Sequence, residues 1–191
     1  MVCKVVFTGA QGTGKDTTIA GVWHELKMRG YDVDVVNEMA KDAWYRGFKL
    51  GKDTTIASQL YMLGKQLMVE SYHTKSPADF ILYNRSMLDC VVVSRAILPT
   101  EQSLPLADAI MMLLRINPYD IIFQMEPFQD VVPDDKVRDS NPQSVERFRR
   151  AFTEFGEQLK SFGHNVITIN ARKDSIESIC DMLEQQLESR T

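Results

Sequence analysis

Five short apolar runs, at residues 2–7, 33–36, 79–83, 119–125 and 165–169, alternate with longer segments whose apolar positions recur every three or four residues. Short continuous runs rich in Val, Ile and Phe predict strands covered on both faces, and the three-to-four spacing predicts amphipathic helices. The first helix is expected from residue 17, with Ile19, Val22, Trp23 and Leu26 on its core face, ending at Arg29-Gly30, a cation followed by a C-cap glycine. A second runs from Asp53, read as its N-cap, through Ile56, Leu60, Leu63 and Leu67 to about His73, and Ser76-Pro77 breaks it. Residues 87–98 and 104–116 predict two more apolar helices, with Pro99 stopping the first and Pro105 near the start of the second. Asn141-Pro142 opens a helix carrying Val145, Phe148, Phe152, Phe155, Leu159 and Phe162, and Ile176, Ile179, Leu183 and Leu187 mark the last. Strand and helix in alternation predict an α/β fold: one domain over residues 1–191, three layers, with a parallel sheet of about five strands.

The stretch between the first strand and the first helix changes the picture from fold to chemistry. It reads Gly9-Ala10-Gln11-Gly12-Thr13-Gly14-Lys15-Asp16-Thr17-Thr18. Glycines allow positive φ and close approach, so successive N–H groups turn inward, and the helix behind them adds free N–H groups and a positive dipole end. This is a phosphate-binding loop, and the fold class becomes a three-layer α/β/α P-loop NTPase of the nucleotide-kinase kind. ATP is the expected ligand, held by Gly9, Gln11, Gly12, Thr13, Gly14, Lys15, Asp16, Thr17 and Thr18, with Lys15 against the β- and γ-phosphates. Asp16 occupies the place where a magnesium-binding Ser or Thr is expected. Two readings follow for Mg2+: Thr17 supplies the hydroxyl, or Asp16 supplies a carboxylate, directly or through water.

Residues 51–57 repeat residues 14–20 letter for letter. The second copy lacks a preceding strand, and Arg46 stands where Gly9 would be, so it is read as a helix start and not as a second phosphate loop.

Composition narrows the class. The chain has 191 residues, 44% hydrophobic and 25% charged, with a net charge of −4, which gives no support to a general polyanion-binding surface. Neither a signal peptide nor an apolar run long enough to span a membrane is expected. Cys3, Cys90 and Cys180, far apart and odd in number, suggest free core thiols in a reducing cytoplasm, and His24, His73 and His164 are too scattered for a zinc site.

In parallel sheets ligands sit beyond the carboxyl ends of strands, which makes strand ends the next places to look. Glu38 follows the second strand and is a candidate to orient or deprotonate an acceptor. Lys41, Trp44, Tyr45, Arg46 and Phe48 come next, aromatics among cations suited to stacking a base, with Trp44 the candidate contact. Asn84-Arg85-Ser86 ends the third strand, with Asp89 close behind, and Arg85 is a candidate to bind an acceptor phosphate or developing charge. Residues 126–150 form a polar, proline-punctuated stretch expected to act as a lid, with Arg138 placed to neutralise charge on closing.

Taken together, these motifs resemble the small P-loop kinases related to the ribosylnicotinamide kinase (NadR-like) domain. More distantly they are similar to thymidylate and deoxynucleoside kinases, and the Gly-Lys-Asp-Thr wording resembles phage deoxynucleoside monophosphate kinases. The resemblance implies ATP-dependent phosphoryl transfer to a nucleoside, nucleotide or similar acceptor, with Lys15, Glu38, Arg85 and Arg138 as catalytic residues, and Glu38, Trp44, Arg85 and Asp89 toward the acceptor. It also implies that loops after the fifth strand, at Asn170, Ala171 and Arg172, border the adenine. Two departures stand out: Asn84 where those kinases carry Asp, and Lys41 where Arg is common. Either Asp16 and Glu38 share the missing carboxylate's work, or activity is weakened. A kinase acting on a modified base (such as hydroxymethyluracil) or an end within DNA, and a regulatory nucleotide-binding NTPase, are the alternative readings.

Overall fold

The computed structural model describes residues 2–127 and 141–190. Strand β1 (Cys3–Thr8) lies at the centre of a five-stranded sheet, with β3 (Phe80–Asn84) on one side and β4 (Ile121–Met125) on the other. Strands β2 (Val33–Val36) and β5 (Val166–Ile169) form the edges, and all four pairings are parallel. The chain winds outward from β1 to one edge and then returns to the other side. The carboxyl end of β1 is therefore where the winding reverses, the place in such sheets where a crevice opens.

Both faces of the sheet are covered, which explains why the strands read as unbroken apolar runs. Cys3, Val5 and Phe7 of β1 face one way, with Phe80, Leu82, Ile121 and Phe123, and pack on α1 (Lys15–Met28) and α7 (Ile176–Glu188) through Ile19, Val22, Leu26, Ile179 and Leu183. Val6, Ile81, Tyr83 and Ile122 face the other way. They pack beneath α3 (Ile56–His73), α4 (Met87–Ile97), α5 (Thr100–Ile116) and α6 (Pro142–Ser161) through Leu63, Val91, Ile110 and Leu159. The expected three-layer α/β/α fold is the one observed.

Several local expectations need correction. Trp23, expected in the core, is 40% exposed: Ile19, Val22 and Leu26 already fill the narrow contact with α7, and Trp23 falls on its flank. Leu60 and Phe162 are likewise exposed members of otherwise buried stripes. Asp53 does not cap α3. It ends a 3-10 turn (Gly51–Asp53), and the cap is Thr55, whose hydroxyl accepts from Ser58 N while Ser58 Oγ accepts from Thr55 N at 3.0 Å. That reciprocal pair satisfies two donors at once, which a lone Asp53 two residues earlier could not do. Helix α5 begins at Thr100, earlier than expected, and carries Pro105 inside it. Arg138 and most of the expected lid fall in residues 128–140, outside the described residues, and residues 142–150 are the first turns of α6.

Candidate active site

The phosphate loop follows β1 directly, and its glycines adopt the backbone it demands: φ is 143° at Gly9, 71° at Gly12 and 79° at Gly14. A side chain at Gly9 would meet the Met125 carbonyl of β4 at 2.8 Å, so close strand packing as well as φ requires glycine there. Lys15 opens α1 and folds back over the loop. Its Nζ donates to Gly9 O at 2.9 Å, Ala10 O at 2.7 Å and Thr13 Oγ1 at 3.1 Å. Burial, and then the Arg85 guanidinium nearby, push its amine down to about 7, while Asp89, Glu38 and Asp16 partly offset them.

The second cation is held differently. Arg85, the first residue after β3, has φ 72°, the one non-glycine among the described residues with positive φ. Its Nε donates to Glu38 Oε1 at 2.7 Å, and its Nη1 donates to Asp89 Oδ1 at 2.8 Å and to Gly9 O at 3.3 Å. Burial opposes the charge on Arg85, but Glu38 and Asp89 outweigh it and hold the guanidinium above its ordinary value. Asp89 is committed twice: its other oxygen accepts from Ser86 N at 2.9 Å in the capping box of α4. An Arg in left-handed backbone, gripped by two carboxylates and one loop carbonyl, is over-determined in the way strained functional residues are.

Beside β1, Asn84 ends β3 in register with Phe7, and its Nδ2 donates to Asp16 Oδ1 at 2.5 Å. Asn84 Oδ1 is buried and has no hydrogen-bond partner.

A cleft of about 440 Å³ opens over these groups, within the range of small-molecule sites. The loop from Ala10 to Thr17 forms one wall, with Glu38, Lys41, Arg85 and Asp89. Helices α3, α4 and α6 form the other through Gln59, Met62, Cys90, Val93, Phe148 and Phe152. A larger open groove of about 1190 Å³ between α4 and α6 contains none of the loop residues, so the chemistry points to the smaller cleft. Trp44 is outside that lining. It lies in α2 (Ala40–Tyr45) edge-on to Tyr45, while Phe48 stacks on Tyr61 with ring centroids 4.4 Å apart, and Tyr61 OH donates to Asp42. Of the aromatics expected to stack a base, Phe48 instead fastens this segment to α3 through Tyr61. Thr18 is buried in α1, off the lining, and Asn170 turns its amide to Glu126 Oε2 at 2.8 Å.

A family model described as AAA domain (AAA_28) matches residues 4–178. The chain belongs to this family of AAA domains. No curated protein sequence matches it. Among solved structures, this AAA domain is similar to deoxyadenosine kinase from M. mycoides with bound dATP, at 16% identity and a TM-score of 0.69, covering 97% of this chain and 99% of that one. It is also similar to NadR protein in complex with NR, at 18% identity and a TM-score of 0.77, covering 98% of this chain and 52% of that one. NadR protein in complex with NAD and AMP-PNP matches at 16% identity and a TM-score of 0.76, covering 98% of this chain and 50% of that one. The AAA domain thus has the fold of small P-loop kinases and spans about half the NadR chain.

Four features of its cleft escape sequence reasoning: Gln59, Met62, Cys90 and the double duty of Phe148 and Phe152. Gln59 is 4% exposed yet faces the cleft from α3, where a polar letter reads as a solvated position. The repeated heptapeptide carried a usable signal, since its Gly51 and Thr54 sit against the cleft. Phe148 and Phe152 belong to the α6 packing stripe and also line the site, with Arg85 6.0 Å above the Phe152 ring. Burial pushes the Cys90 thiol up to about 12, with Asp89 adding to it, so it behaves as an apolar wall.

Proposed function

We propose that this AAA domain is a kinase that transfers the γ-phosphoryl group of ATP, with Mg2+, to a nucleoside or (deoxy)nucleotide acceptor. The observation that carries it is the Arg85 clamp: one guanidinium joins Glu38 to the phosphate-loop carbonyl of Gly9. Phosphoryl transfer asks the protein chiefly for positioning and charge neutralisation between donor and acceptor, and this clamp sets a cation and a carboxylate beside the phosphate loop on one wall of the cleft.

The loop amides and Lys15 hold the donor phosphates, giving up the Lys15 contacts to Gly9 O and Ala10 O for phosphate oxygens. Glu38 orients or deprotonates the acceptor, and Arg85 stabilises charge on the transferring group. The apolar wall of Met62, Phe148 and Phe152, with the Gln59 amide, takes the acceptor's base. The segment between β4 and α6 serves as the lid, with Arg138 as its neutralising cation. Magnesium, bound mostly by nucleotide phosphates and water, needs only one or two protein oxygens, and Asp16 and Thr17 at the cleft supply candidates. Among the described residues no cluster of three metal-binding side chains exists, in keeping with a cation that arrives with its nucleotide. Three free buried cysteines support a reducing, cytoplasmic setting, and among the described residues no helix is long and apolar enough to cross a membrane.

The test is transfer of label from γ-labelled ATP to a panel of nucleosides, deoxynucleotides and duplex DNA containing modified bases. Label on a free nucleoside or nucleotide is expected. Label only on the DNA, or only in inorganic phosphate, overturns this reading in favour of a polymer-level kinase or an NTPase.

A further inference from the structure

A phosphate loop ordinarily divides its magnesium ligands between two places: a hydroxyl just after the loop lysine and a carboxylate at the end of a neighbouring strand. Here both places are filled, with the chemistry exchanged. Asp16 follows Lys15, and the amide Asn84 ends β3, the strand paired directly with β1. The fit of a cation to these residues can be read from their hydrogen bonds. Asn84 is 7% exposed and gives its N–H to Asp16 Oδ1 at 2.5 Å, while its own oxygen is buried without a partner. Turning the amide over would set that oxygen against a carboxylate oxygen, so Asp16 fixes which way Asn84 faces. One Asp16 oxygen is thereby tied down, and the residue lies exposed on the cleft wall.

We propose that in this chain the carboxylate of the magnesium site has moved from the end of β3 to the phosphate loop: Asp16 is the anionic ligand, and Asn84 is a positioning residue that orients it. The charge count is unchanged by the exchange. A hydroxyl with a carboxylate carries one negative charge, and so does a carboxylate with an amide. The partnerless Asn84 oxygen has the chemistry to accept from a water of the hydrated cation, the role of an outer-shell group that tunes a metal site. Thr17, exposed one residue further on, is then not required as the anionic ligand's substitute.

This inference rests on the kinase reading only in needing a bound metal–nucleotide, so its test uses no acceptor and no turnover. Mn2+ is titrated by electron paramagnetic resonance into the full chain saturated with a non-hydrolysable ATP analogue. Asp16→Asn, close to isosteric, is expected to weaken Mn2+ binding by about 10-fold or more, on the scale known for metal-site perturbations, and by more than Thr17→Val does. The informative variant is the exchange itself. Asn84→Asp alone sets two carboxylates face to face and lowers the melting temperature without metal, and Asp16→Thr alone loses the anionic ligand. The double variant Asp16→Thr/Asn84→Asp restores Mn2+ binding to near the unsubstituted level. Unchanged Mn2+ binding in Asp16→Asn, or the main loss appearing in Thr17→Val, overturns the proposal. If the double variant fails to fold, the two single conservative variants still decide. Failure to bind any metal–nucleotide would instead remove the kinase reading, which separates the two outcomes.

Discussion

Arg85 reaches Glu38 through Nε at 2.7 Å and Asp89 through Nη1 at 2.8 Å, so one planar group holds two carboxylates that follow different strands, β2 and β3. Lysine cannot do this, because its single ammonium lacks the fork. Arg85→Lys is expected to lower kcat by about 10²–10³-fold, the usual cost of removing a preorganised charge stabiliser, with KM for ATP little changed. Steady-state kinetics check this, and a loss confined to KM would show that Arg85 only binds.

Lys15 places a buried amine, 7% exposed, beside the half-buried guanidinium of Arg85. In the nucleotide-free protein that arrangement costs stability, because burial disfavours its charge. The two carbonyls it contacts each keep a second donor, Arg85 Nη1 on Gly9 O and Thr13 Oγ1 on Ala10 O. Lys15→Met is therefore expected to stabilise the nucleotide-free protein by on the order of 1 kcal/mol, about 2–4 °C at this chain length, and to abolish the rise in Tm on adding ATP. A thermal melt with and without ATP reads both effects, and a lower Tm without nucleotide would show that Lys15 supports the loop.

What the letters carried was the sheet and the strand ends. Buried parallel strands are continuous apolar runs, so all five were legible, and the rule that ligands gather at their carboxyl ends led to Glu38, Asn84 and Arg85. What they hid depends on which way a helix faces. Gln59 and Trp23 are each ambiguous alone: a polar residue on α3 turns out buried at the cleft, and an aromatic on α1 turns out exposed, because crossings with α4 and α7 decide the faces. The bond from Asn84 to Asp16 spans 68 positions, and only the pairing of β3 with β1 brings the two together.

The repeated heptapeptide gives a sharp contrast between spacing and context. Asp53 had the right letter for a cap, but Thr55 and Ser58 close the capping box. Thr55→Ala is expected to cost about 1 kcal/mol and Asp53→Ala to stay within about 0.5 kcal/mol, as for a surface substitution. Urea unfolding of the two variants checks the pair, and equal losses would return the cap to Asp53.

Glu70 is 2% exposed and accepts from Tyr119 OH at 2.6 Å, Gln66 Nε2 at 2.9 Å and Asn117 Nδ2 at 3.4 Å. Burial raises its carboxyl above the ordinary value of 4.5, and the donors from Tyr119 and Gln66, together with Lys4, only partly offset this. The folded state therefore keeps this proton to higher pH than the unfolded chain. Its contribution to stability is full below 4.5 and is lost as pH rises through the folded value. Glu70→Gln removes the titration, so melting curves from pH 4 to 8 should show the unsubstituted protein falling relative to the variant as pH rises. A gap that narrows with rising pH would mean the ionised carboxylate is the stabilising form.

Gly156 lies in α6 where a methyl group would overlap the side-chain amide of Gln124 from β4. That amide is buried, donates through Nε2 to Phe152 O at 3.0 Å, and has no partner for its oxygen, so it cannot move aside into water. In most helices Gly→Ala gains stability, because alanine has the better propensity by about 1 kcal/mol. Here Gly156→Ala is expected to lose about 1–3 kcal/mol through overpacking. The cause is local to one side chain, which makes the sign reversible. In a Gln124→Ala background the overlap is gone, and Gly156→Ala should become neutral or stabilising by up to about 1 kcal/mol. A double-mutant cycle in urea measures this coupling directly. Additive losses would show that the glycine is required for the approach of the α6 backbone to β4 and not for Gln124.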